Sequence, residues 1–300
     1  MTPRFATPPR FKRPTLLIVG CGDIGMRVAA LLRGRWRLVA LTSDTARVGL
    51  LRQAGIEPLV GDLDDAATLG RLAGLADAVL HLAPPPGAGG IDSRTRALLS
   101  ALARRSRVRC IVYASTSGVY GDCGGALIDE TRALRPSTQR ARRRADAEAR
   151  LRWFGRAMGV RVTLLRIPGI YAGDRLSGNP RERLARGMTA LRAEDDVYTN
   201  HIHADDLARI CVAALHRGPT QRAIHACDDS RLKMADYFDL AADLCGLPRP
   251  RRISREEARA SLPAMQLSFM GESRRLNNKR LKTELRVRLR YPDVRAGLLA

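Results

Sequence analysis

The sequence predicts an α/β fold: a doubly wound parallel sheet with a small α/β lobe added towards the C-terminus. Three observations carry that expectation. Apolar, partly β-branched runs alternate with helical patterns through the first half of the chain. The first of these runs enters a glycine-rich turn that opens directly into a helix. Past Arg166 the alternation gives way to shorter segments broken by Gly169, Gly173, Gly178 and Pro180. Strands that are apolar throughout, rather than at every second residue, belong to a parallel sheet covered on both faces. Right-handed crossovers then leave the doubly wound arrangement as the solution.

The elements follow in order. A basic, Pro- and Arg-rich stretch over 1–14 reads as a disordered tail, without the apolar region of a signal peptide. Strands are expected at Thr15–Val19, Arg37–Leu41, Glu57–Val60, Ala78–Leu82, Arg109–Ala114 and Arg161–Arg166. Between them fit helices at Gly25–Leu32, Thr45–Ala54, Asp65–Ala73, Asp92–Ser106 and a long one from about Ser137 to Met158. Helices return at Asp205–His216, Lys233–Leu244 and Asn277–Leu285. This divides the chain into a nucleotide-binding unit over 15–166 plus about 198–226, and a small substrate lobe over about 167–197 and 227–300.

The stretch Leu16-Leu17-Ile18-Val19-Gly20-Cys21-Gly22-Asp23-Ile24-Gly25 is a buried strand running into G-x-G-x-x-G, with a helix at once behind it. That order is the context a dinucleotide fingerprint requires. Gly20 permits the tight turn, Gly22 admits a pyrophosphate to the backbone, and Gly25 lets helix and strand pack closely. The amides around Asp23 and Ile24 then face the phosphates with the helix dipole behind them. Here the sheet is a Rossmann fold, and its expected ligand is NAD(P).

Bulk properties exclude several classes. No apolar run reaches membrane-spanning length. Six scattered cysteines, Cys21, Cys110, Cys123, Cys211, Cys227 and Cys245, show no metal-ligand spacing and suit reduced thiols in cytoplasm. The formal charge of +22 suggests a nucleic-acid partner, but only four of the 52 basic residues are lysines and the arginines occur throughout the chain. With 4% aromatic residues there is little to stack bases on, so charge alone points to non-specific polyanion binding.

Ligand-contacting residues belong just past the strand ends. After the second strand come Ser43, Asp44 and Arg47; a hydroxyl followed by arginine tolerates a 2′-phosphate and tips the cofactor slightly towards NADP. Asp44 serves equally as ribose partner or as helix cap. Asp62 and Leu63 follow the third strand, where a carboxylate accepts the adenine amino group or caps a helix. Leu82 and Ala83 follow the fourth, past a core-type His81.

The turn Tyr113-Ala114-Ser115-Thr116-Ser117-Gly118-Val119-Tyr120-Gly121 resembles that of the extended short-chain dehydrogenase/reductases, the NAD-dependent epimerase/dehydratase group. Arg166-Ile167-Pro168-Gly169-Ile170-Tyr171-Ala172-Gly173, Ile202-His203-Ala204-Asp205-Asp206-Leu207-Ala208 and Arg275-Leu276-Asn277-Asn278-Lys279 are similar to three further segments of that family. The likeness covers about Thr15 to Leu299, and the shortened glycine motif places it with an atypical subgroup. It implies an oxidoreductase or epimerase/dehydratase acting on a small polar, sugar-derived substrate. The family's proton relay is Tyr-x-x-x-Lys on the long helix, where the phenol moves the substrate proton and the ammonium lowers its pKa. Here those positions hold Arg140 and Arg144, and there is no tyrosine between Gly121 and Gly169. Guanidinium stays protonated, so neither serves as acid/base, although Arg144 is suited to a phosphate or ribose contact. The surviving hydroxyl is Thr116, and Tyr120, Tyr171 and His203 are the candidate substitutes. The competing expectation is a nucleotide-binding sensor or scaffold that has lost catalysis. Seven arginines between Arg140 and Arg156 alternate with acids at i,i+4 (Arg142–Asp146, Arg144–Glu148, Asp146–Arg150, Glu148–Arg152), as on a solvated, salt-bridged face that is also a candidate homodimer surface.

Overall fold

The computed structural model describes residues 13–175 and 178–299; the tail expected over 1–14 lies, through residue 12, outside them. The first half runs β1 (Thr15–Val19), α1 (Asp23–Leu32), β2 (Arg37–Thr42), α2 (Val48–Gln53), β3 (Glu57–Val60), β4 (Ala78–His81), α3 (Ser93–Ala103), β5 (Cys110–Thr116), the two-residue β6 (Leu127–Ile128), α4 (Gln139–Met158) and β7 (Arg161–Ile167). There follow β8 (Gly169–Tyr171), α5 (Pro180–Ala185), β9 (Thr189–Leu191), β10 (His201–His203), α6 (Ala204–Arg217), β11 (Arg222–His225) and α7 (Met234–Cys245). The chain closes with β12 (Arg251–Ile253), α8 (Arg255–Ser261), α9 (Ala264–Met270), β13 (Arg275–Leu276), α10 (Lys279–Thr283) and α11 (Val294–Leu298). No helix among the described residues is long and apolar enough to cross a membrane.

Seven parallel strands form one sheet in the order β11-β7-β5-β4-β1-β2-β3. The apolar strands have a direct cause in this layering. Leu16 and Ile18 of β1 pack with Val28 and Leu32 of α1 and Leu207 and Ile210 of α6 on one face. Leu17 and Val19 pack with Leu98 and Leu102 of α3 and Leu151 and Phe154 of α4 on the other. Chain order reverses between β1 and β4, so a crevice opens beyond their C-terminal ends, where open α/β sheets bind ligands. Three two-stranded parallel pairs, β10–β8, β12–β9 and β13–β6, lie outside the main sheet.

Several elements differ from expectation in form. The helix expected at Thr45–Ala54 splits into a 3-10 turn, Thr45–Arg47, capped by Asp44, and α2. Ala66–Leu72 is 3-10 rather than α, with Asp65 accepting from Ala67 N. The strand β11, not read as a strand in the sequence, completes the sheet beside β7. On α4 the Asp146–Arg150 pair forms at 2.8 Å and Glu148–Arg152 lies at 3.9 Å. The expected Arg142–Asp146 and Arg144–Glu148 pairs do not form: Asp146 accepts from Arg150 and from Asp92 N, Arg144 donates to Ala114 O on β5, and Glu148 grips Arg166 on β7. The face carrying Arg143, Ala147 and Glu148 is buried, while Arg142 and Ala149 stay exposed.

Candidate active site

The glycine turn is built as its sequence requires. Gly20 has φ +83°, and a Cβ there would sit 2.5 Å from Ala83 N. Only glycine lets the end of β1 meet the end of β4 this closely, with Leu82 N and Ala83 N both donating to Val19 O at 2.8 and 2.9 Å. A Cβ at Gly25 would lie only 3.2 Å from Cys21 Sγ and 3.3 Å from Ile18 Cγ2, so the glycine lets α1 seat close against β1. At Gly22 a Cβ would meet no heavy atom within 4 Å, because that face of the loop opens into a cleft. The helix α1 begins at Asp23 without a side-chain cap. Its first amides therefore lack an intrahelical partner and are positioned for an anion. A glycine wall open to the cleft, beside helix amides without intrahelical partners, fits a dinucleotide's diphosphate.

The cleft has a volume of about 900 Å³ and runs from Gly20, Gly22, Asp23, Ile24, Gly25 and Leu82 past Thr116 to a mouth formed by later segments. That is within the range of small-molecule sites. Ser43, Arg47, Asp62, Leu63 and Ala83 lie outside its wall. Arg47 reaches the glycine turn all the same, donating from Nη2 to Cys21 O at 2.6 Å, while Ser43 is exposed nearby. Asp44 caps its 3-10 turn by accepting from Ala46 N at 2.9 Å, and Asp62 accepts from Asp64 N at 2.9 Å. Leu63 and Ala83 are buried, Leu63 against β2 and β3 and Ala83 behind Gly20.

Thr116 lines the cleft at the end of β5, its Oγ1 accepting from Gly118 N at 3.2 Å. Arg140 and Arg144 line it too. Arg144 is occupied: Nη1 donates to Ala114 O at 2.6 Å and to Tyr113 OH at 3.1 Å, tying α4 to β5. Arg140 is exposed, with its guanidinium 4.8 Å from the Phe269 ring centre. The structure does not bring Tyr120 to this wall. Its phenol is buried, accepts from Arg166 Nη1 at 2.6 Å and lies 2.6 Å from His225 Nε2. Burial pushes it up to about 12, against the pull of Arg166. Arg166 in turn grips Glu148 at 2.8 and 3.1 Å, and Glu148 accepts from Ser115 Oγ at 2.6 Å. This satisfied network underpins the turn carrying Thr116. Tyr171 lines the cleft with its ring, while its hydroxyl donates to Asp293 O at 3.3 Å. Burial also raises its pKa. His81 is a core residue held neutral by burial, down to about 3, with Nε2 on Thr95 Oγ1 at 2.9 Å. His203 caps α6 through Nδ1, 3.2 Å from Asp205 N.

The far half of the cleft holds residues that sequence reasoning passed over. Tyr198 and Tyr237 line it, and neither phenol oxygen has a protein partner among the described residues. His201 stacks on Tyr237 with ring centres 4.0 Å apart. Arg183 and Arg274 add basic groups there, Arg274 paired with Glu272 at 2.8 Å, while Arg175 lines the cleft beside Asp23 at the glycine loop. They come from loops and short elements after Tyr171, where a basic composition throughout hid which arginines converge.

The sheet order, with a glycine cradle at its switch point, defines a Rossmann-type α/β protein. The chain belongs to the NAD dependent epimerase/dehydratase family, whose model matches residues 16–227. It is similar to Protein YeeZ of Escherichia coli (strain K12), 27% identical over 288 residues, covering 92% of this chain and 96% of that one. Among solved structures it resembles a functionally unknown conserved protein from Silicibacter pomeroyi DSS, with TM-score 0.80, 30% identity, and coverage of 95% and 97%. It also shares its fold with a nucleoside-diphosphate-sugar epimerase from Pseudomonas aeruginosa, with TM-score 0.77, 22% identity, and 96% of each chain covered.

Proposed function

We propose that the protein is an NAD(P)-dependent oxidoreductase or epimerase/dehydratase-like enzyme that acts on a small, anionic, sugar-derived substrate. One observation carries the reading: the glycine cradle and Thr116 open into the same cleft, whose far half is lined by arginines. When bound, the coenzyme supplies a hydride acceptor or donor at its nicotinamide. Gly20, Gly22 and Gly25, with the Asp23 and Ile24 amides, hold its diphosphate, and Leu82 and Ala83 pass its ribose. Asp62 and Leu63 border the adenine. Ser43 and Arg47 favour NADP slightly, a preference supported by the reach of Arg47 to the glycine turn. Thr116 orients the substrate oxygen. Tyr120 is set aside as proton source because its oxygen is committed to Arg166 and His225 away from the cleft wall; Tyr171, on that wall, is retained and serves only by exchanging its hydrogen bond to Asp293 O for the substrate. We assign 15–166 plus about 198–226 to coenzyme binding and the remainder to the substrate lobe, in a cytoplasmic protein whose α4 surface serves as a homodimer contact.

A second reading, a dinucleotide-binding sensor without catalysis, is favoured by Arg144, whose guanidinium braces β5 where the family places a catalytic lysine. Thermal-shift titration with NAD(H) and NADP(H), followed by nicotinamide absorbance on a panel of phosphorylated and nucleotide-linked sugars, separates the two. The enzyme reading expects turnover that Thr116→Val combined with Tyr171→Phe abolishes. Full activity in that double variant discards the assignment, and saturable binding without any turnover selects the sensor.

A further inference from the structure

The residue that breaks the logic of the glycine loop is Asp23. A carboxylate in the first turn of a helix is favoured by the helix dipole. It is nevertheless a like charge set beside the place where the diphosphate must lie. Asp23 is held between two guanidiniums, accepting from Arg27 Nε at 2.9 Å and from Arg175 Nε at 3.0 Å. The two arginines are not equivalent. Arg27 is fully engaged, donating also to Asp205 at 2.5 Å and Asp174 at 2.6 Å, and it does not line the cleft. Arg175 lines the cleft, donates from Nη1 to Ile170 O at 3.1 Å, and leaves Nη2 without a protein partner among the described residues. Gly178 gives this guanidinium room, since a Cβ there would overlap Arg175 Nη1.

From this geometry we infer that Arg175 is a ligand of the coenzyme diphosphate, kept at the glycine loop by an ion pair with Asp23 that the diphosphate displaces. The inference rests on the coenzyme reading above and assigns a binding role to a residue 152 positions along the chain from its partner. Its chemistry is that of a planar fork with one ion pair to an exposed carboxylate and one donor to spare. Exchanging that carboxylate for a phosphate oxygen keeps a charge-assisted hydrogen bond and removes the like-charge contact from the anion's surroundings. The exchange also makes the segment after β8, which borders the substrate half, sensitive to whether coenzyme is bound.

The test is isothermal titration of the full chain with ADP-ribose, with adenosine as the phosphate-free control and melting of the unliganded proteins as a check on folding. Arg175→Gln should raise the ADP-ribose dissociation constant roughly tenfold or more, the cost of one charge-assisted hydrogen bond, and leave adenosine unchanged. Asp23→Asn should tighten ADP-ribose, since it frees Arg175 without removing it. The double variant should stay as weak as Arg175→Gln alone. Wild-type affinity in Arg175→Gln, or weaker binding in Asp23→Asn, overturns the inference. Recovery of wild-type affinity in the double variant does so too, because Arg175 then only screens Asp23. A wild-type protein that binds neither NADH nor NADPH fails the coenzyme reading itself, and the role of Arg175 falls with it.

Discussion

Asp228 is almost fully buried, with one carboxylate oxygen accepting from Ser230 N at 2.9 Å and the other without a partner among the described residues. Burial raises its pKa from 3.8 to about 8. The folded pKa lies above the unfolded one, so the contribution to stability is complete below about pH 3.8 and is lost as pH rises through about 8. Asp228→Asn removes that ionisation, and its melting temperature should exceed wild type by roughly 2–6 °C at pH 8.5 and by little at pH 4. Equal shifts at both pH values, or none, would mean that the carboxyl is not strained by burial. Glu148 shows the opposite error of scale. Local spacing paired it with arginines on its own helix, yet the side chain is 2% exposed and grips Arg166 on β7. Intrahelical spacing sees only neighbours within a turn, whereas burial of a charge is decided by whatever crosses from the next layer.

At the level of elements, legibility followed locality. The strands β1 and β3 fall at the residues expected, because each is an apolar run bounded by turn signals. The four-residue β11 carries no such pattern, and its partner β7 lies about sixty residues earlier, so only the assembled sheet reveals it. The same holds for β8, β9 and β10, whose pairing is decided by distant loops. The glycine turn was legible in full, since each glycine answers a local demand. That separation of demands is testable. Gly20→Ala forces a side chain to φ +83° and into Ala83, so it should lower the melting temperature and abolish coenzyme binding together. Gly22→Ala places its methyl in open space at φ −82°, so the fold should melt as wild type while NADH affinity falls at least roughly tenfold. Melting curves and NADH fluorescence on the two variants check this. A Gly22→Ala protein that binds NADH normally would remove the diphosphate from this loop.

The whole molecule carries a formal charge of +22, and its arginines are spread over the surface as well as gathered in the cleft. Arg107 and Arg109 at the opposite end of the sheet, more than half exposed, illustrate the spread. Charges of this kind attract any polyanion through counterion release, a contribution screened over about 8 Å at physiological ionic strength. Coenzyme binding differs in kind, because it relies on backbone amides and a glycine wall recessed in a cleft. The two activities should therefore part with salt. Mixed-sequence single-stranded DNA should bind at about 50 mM salt with a steep negative dependence on log salt and no sequence preference, and release by about 300 mM. NADH affinity should change far less over the same range. Fluorescence anisotropy with labelled oligonucleotides, run beside NADH titration, measures both. Sequence-selective DNA binding that survives the higher salt would make nucleic acid a true partner, and it would require a built base-reading surface among these arginines rather than their charge alone.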